Sequence, residues 1–193
     1  MDLPGTNAFG GSDAGVTHAW GFRFPSFSPE SGYAIVRGYD GGPYHVVGRR
    51  AEAMIWPTFD DVVGWEPDGA PASERYAAVG RIAGSASVAR CEEPLDDRLA
   101  VRLIDESNAR LARVRVGLRP SPRADVPSVA ADGTTYAFGG IAFGRTTNGL
   151  QGPDTARLRA LSDAILAYCF SPDAAPRTAL EAAVAALEAS EPG

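Results

Sequence analysis

The stretch TTYAFGGIAFGRTTNGLQGPDTARLRALSDAILAYCF, residues 134–170, decides the fold, because the hydrophobic period changes within it. Over 134–146, aromatic residues (Tyr136, Phe138, Phe143) mix with glycines (Gly139, Gly140, Gly144), as in one strand interrupted by a bulge or corner. After the turn signal Asn148-Gly149 the pattern becomes helical. Pro153 suits the first helical position, and Asp154 suits the positive end of a helix. Leu158, Leu161, Ile165 and Tyr168 then recur at spacings of three and four residues, which aligns them on one apolar face. Ser171-Pro172-Asp173 stops this helix. A second helix from about Pro176 places Leu180, Val184 and Leu187 on one stripe, and two helices so closely joined form an antiparallel pair.

Upstream, the period is that of strands. Trp20, Phe22 and Phe24 alternate with Gly21 and Arg23 across 16–24. Strands over 33–39 and 44–56 flank Asp40-Gly41-Gly42-Pro43, whose glycines supply the positive φ of a tight reversal. A helical turn is predicted over 58–65 and an Ala/Gly/Ser-rich strand over 75–90. A second hairpin, 101–105 with 110–119, is predicted around Glu106-Ser107-Asn108. Strands come first and helices last, without βαβ alternation, which is an α+β pattern: a curled antiparallel sheet or β-barrel-like core followed by a C-terminal antiparallel helix pair. Residues 1–15 read as a Gly-rich N-terminal arm. Residues 16–193 read as a single α+β domain, β-rich over 16–147 and with two helices over 153–190.

Composition excludes several classes of function. The net charge of −6 repels phosphate backbones and anionic lipid, so neither nucleic acid nor membrane is the expected partner. All 18 basic residues are arginine, which with abundant Ala, Gly and Pro fits GC-rich coding. The first residues lack a basic and apolar leader, and no apolar run reaches the ~18 residues of a membrane helix. Cys91 and Cys169 share no metal-like spacing and read as small buried thiols in a reducing compartment, with a disulfide between the two as the alternative. By elimination of a leader and a membrane span, a cytoplasmic location is expected.

The chemistry-bearing residues are sparse. His18 and His45 are the two histidines, without the HxH or HxxxH spacing of a metal pair, so neither metal nor cofactor is expected. No nucleophile elbow or phosphate-binding loop occurs. Arg113, Arg115 and Arg119 alternate with aliphatics and would present forked donors on one face to an acidic partner or anionic ligand. The aromatics of the first third, among them Trp20, Phe22, Tyr33 and Trp56, are core residues or the lining of a cavity. The expected function is a non-catalytic binding or assembly subunit. It would join a protein partner or a homo-oligomer, with an apolar or anionic small molecule as its small ligand and Trp20, Phe22, Tyr33, Trp56, Arg113 and Arg115 as its contacts. The alternative is a small-molecule barrel enzyme of isomerase, cyclase or dehydratase type, with His18, His45 and Tyr44 as acid–base groups, or a carrier using the same aromatic cavity.

Overall fold

A computed structural model describes residues 15–25, 28–54, 87–112, 134–140, 143–146 and 153–190. The strands are β1 (Val16–Pro25), β2 (Ser31–Arg37), β3 (Tyr44–Ala51), β4 (Val88–Leu95), β5 (Thr134–Gly139) and β6 (Phe143–Thr146). The helices are α1 (Asp97–Leu111), α2 (Pro153–Phe170) and α3 (Ala174–Glu188). The strands form one antiparallel sheet in the order β4-β3-β2-β1-β5-β6. Its outermost strands do not pair with each other, so among the described residues the sheet is open. The α+β class holds, and α2 and α3 form the C-terminal helix pair.

The β2–β3 hairpin follows from its turn. Gly41 has φ +77°, its amide donates to Gly38 O at 3.1 Å, and Gly42 N donates to Asp40 Oδ1 at 3.0 Å. Arg37 clamps the reversal by donating to Gly42 O (2.8 Å) and Gly41 O (3.1 Å). The register then runs from Arg37↔Tyr44 to Ser31↔Arg50. β1 pairs with β2 through a bulge between Thr17 and Ala19.

Alternation along the strands separates two faces. Ala19, Tyr33, Ile35, Tyr44 and Val46 point to the helices and join Leu99, Leu103, Leu161, Ile165, Leu180, Val184 and Leu187 in one buried cluster. Each fully buried leucine there contributes roughly 1.5–3 kcal/mol of transfer free energy. α1 and α2 lie against the strands, and α3 packs on α1 and α2. Trp20, Phe22 and Phe24 point to the other face as a ladder, with ring centroids 5.5 and 5.9 Å apart. Gly139 is the cross-strand partner of Trp20, and a Cβ there would run into the indole, so this position takes the one residue without a side chain.

Three expectations are corrected. Residues 101–105 and 110–111, read as strands of a hairpin, lie in α1. Asp96 caps that helix by accepting from Leu99 N at 3.1 Å, and Leu99, Leu103 and Leu111 are buried along one side. The predicted single strand over 134–146 is a hairpin, β5 then β6, so its paired glycines mark a reversal. The cysteines are not thiols: Cys91 of β4 and Cys169 of α2 form a disulfide, with Cα atoms 5.7 Å apart. Gly48, the β3 neighbour of Cys91, lies beneath it, where a Cβ would collide with Cys91 Sγ. The expected helical turn at 58–65, most of the expected strand at 75–90, and the arm at 1–14 lie outside the described residues.

Candidate functional site

The histidines are held apart. His18, the extra residue of the β1 bulge, meets the edge of the Tyr44 ring at a centroid distance of 5.3 Å. Arg37 covers the same ring, its guanidinium 4.8 Å from the centroid. His45 follows Tyr44 and so points to the opposite face, where its Nδ1 lies 3.5 Å from Glu92 Oε1. His18 and Tyr44 are therefore together, and His45 is separated from them by the sheet. Among the described residues no group of three His, Cys, Asp or Glu side chains could hold a metal.

The expected ligand contacts are divided in the same way. Trp20 and Phe22 share the aromatic face. Tyr33 lies on the helix face with its ring over Gly21, 3% exposed, and burial pushes its phenol well above the usual range. Trp56, Arg113, Arg115 and Arg119 lie outside the described residues.

A different set of residues comes together at the sheet end remote from the β2–β3 turn. Strand register places Tyr136, Arg23, Ser31 and Arg50 side by side across β5, β1, β2 and β3, all toward the helices. This row marks where the apolar core ends. The Cα atoms of Arg23 and Arg50 are two strand spacings apart, about 10 Å, with only the small Ser31 side chain between them. The C-terminal half of α2 and the start of α3 complete a cleft of about 420 Å³, lined by Arg23, Ser31, Arg50, Asp163, Phe170 and Pro176 among others.

The electrostatics of the cleft are uneven. Arg50 lies over the Phe170 ring, its guanidinium carbon 4.5 Å from the centroid. Arg23 Nε is buried without a hydrogen-bond partner, a costly state for a charged donor. Asp163 accepts from the Tyr136 hydroxyl at 3.5 Å. Burial raises the Asp163 carboxyl above its ordinary 3.8, against the opposing pull of the Arg23 cation and the tyrosine hydrogen bond. Burial, and then the Asp163 charge, push the Tyr136 phenol up. The cleft thus holds two cations, one reluctant anion, the Ser31 hydroxyl and an aromatic wall.

A second polar centre is structural. Arg110 is 2% exposed and its Nη1 donates to Asp154 Oδ1 at 2.6 Å. Its Nη2 donates to Leu187 O at 2.6 Å, Ser190 O at 2.9 Å and Ser190 Oγ at 2.8 Å. One side chain of α1 thereby ties the N-terminus of α2 to the C-terminus of α3. On the aromatic face Arg49 and Arg90 are direct cross-strand partners; burial, and then the Arg90 charge, lower Arg49. Among the described residues no helix is long and apolar enough to cross a membrane. No protein-family model, curated protein or solved structure matches the chain.

Proposed function

We propose that the chain is a non-catalytic binding subunit and that the cleft at Arg23, Ser31 and Arg50 seats the carboxylate or phosphate group of a small molecule. The observation that carries this reading is the row itself: Arg23 and Arg50 face the helices on either side of Ser31, two guanidinium groups in one cleft of about 420 Å³. Forked donors of this kind suit carboxylates and phosphates, and the volume lies in the range of small-molecule sites. Native mass spectrometry of protein purified without added ligand tests it, reading bound mass and subunit count together. An adduct lost in Arg23→Met/Arg50→Met with folding intact is expected. An adduct unaffected by that double substitution removes the cleft from the reading.

The enzyme alternative draws on the His18–Tyr44 contact. It requires His18→Ala to abolish turnover while leaving the fold intact.

We further propose an oxidising compartment in place of the cytoplasm, because persistent disulfides are rare where glutathione keeps thiols reduced. Thiol titration of protein recovered from its native host under denaturing, alkylating conditions tests this. Two reactive thiols would overturn it.

A further inference from the structure

Resting on the binding reading, we infer that the cleft is built for a zwitterion, an α-amino acid with an apolar side chain, whose carboxylate bridges Arg23 and Arg50 and whose ammonium meets Asp163. Two arginines alone would suit any oxyanion. The acid on α2 is what narrows the class. Asp163 lies in the same cleft as Arg23 and Arg50, close enough to Arg23 for the two charges to act on each other, yet no ion pair within 4.0 Å joins them. A simple anion on the arginines would add negative charge beside Asp163 and be repelled by it. A ligand with an ammonium group next to its carboxylate offers each wall its opposite charge, so Asp163 changes from an obstacle into a contact.

The remaining lining sets the side chain. Leu166, Ala167, Phe170 and Pro176 form the wall away from the strands, and a hydrocarbon side chain against them would be withdrawn from water. Ser31, between the two arginines in the cross-strand row, adds a hydroxyl donor for the carboxylate.

Isothermal titration of the full chain with L-phenylalanine, 3-phenylpropionate, 2-phenylethylamine and inorganic phosphate tests the assignment. L-Phenylalanine is expected to bind at least about tenfold more tightly than either single-charge analogue, the range of one charged hydrogen bond. Arg50→Met should weaken L-phenylalanine and 3-phenylpropionate by similar factors. Asp163→Asn should bring the ratio between them close to one. 3-Phenylpropionate or phosphate binding as tightly as L-phenylalanine, or a ratio that survives Asp163→Asn, overturns the zwitterion and leaves an anion seat. No heat from any of the four probes at millimolar concentration overturns the seat itself. Circular dichroism of each variant separates lost binding from lost folding.

Discussion

Replacing Cys91 and Cys169 by alanine probes the unfolded chain more than the folded one. The bond spans 78 residues of sequence, and in the loop-entropy model a closure of that length withholds about 4.5 kcal/mol from the denatured ensemble at room temperature. Measured removals of native disulfides cluster at about 2–5 kcal/mol, so the model sits at the upper end of experience. Both sulfurs belong to the packed interior, because Cys169 is 1% exposed and Cys91 packs against the main cluster. Alanine at both sites also loses that packing. With a urea slope of about 2 kcal/mol per molar, the variant midpoint should fall by about 2 M, a large share of the roughly 5–15 kcal/mol that holds a domain folded. The assay is urea unfolding followed by tryptophan fluorescence, with and without reductant. Reductant should move the native protein most of the way to the variant's midpoint, the remainder being the sulfur packing that alanine lacks, and should leave the variant unchanged. Equal midpoints for the oxidised protein and the variant would refute the reasoning, since closure would then have cost the unfolded chain nothing.

Arg110→Met should cost about 3 kcal/mol, the lower end for one partner of a buried ion pair, because Asp154 retains Arg157 at 3.5 Å; adding Asp154→Leu should recover most of the loss in chemical denaturation. Arg90→Glu turns a like-charge cross-strand pair with Arg49 into an attractive one and should stabilise by up to about 1 kcal/mol, an effect that added salt should shrink. Gly139→Val should destabilise by about 1–3 kcal/mol through collision with the Trp20 indole, and Trp20→Ala in the same chain should relieve that part of the penalty. Asp163 binds its proton more tightly folded than unfolded, so its contribution to stability is present below its ordinary 3.8 and is lost as pH rises through the folded value. Asp163→Asn should therefore flatten the fall in urea midpoint over that window and leave the variant the more stable at neutral pH.

The local elements whose signal lay in a short window were legible. Asp40-Gly41-Gly42-Pro43 located the β2–β3 hairpin, and the leucines of 158–187 located α2 and α3, all of them buried as expected. α1 is hidden in the sequence by the strand-like alternation of Arg113, Val114, Arg115 and Val116, which directly follows its C-terminal end. The competing signal was present: Leu99, Leu103 and Leu111 lie on a four-residue period behind the cap at Asp96. The disulfide could not be found from spacing, since two cysteines on a strand and a distant helix meet only through the tertiary fold. The cleft lies between these cases. Counting outward from the turn at Gly41 pairs Ser31 with Arg50, but Arg23 joins them only through the β1–β2 register, and Asp163 only through the docking of α2.

Arg110 also determines how the molecule can come apart. The last turn of a terminal helix ordinarily frays, its final carbonyls meeting water. Here the carbonyls of Leu187 and Ser190 are held by a guanidinium anchored in α1 and paired with the first turn of α2. Peeling α3 from its end is costly, because releasing those carbonyls leaves the Nη2 donors of Arg110 buried without acceptors. Amide hydrogen exchange should accordingly report one opening event shared by all three helices, with the amides near Leu187 exchanging as slowly as those near Leu103 and Ile165.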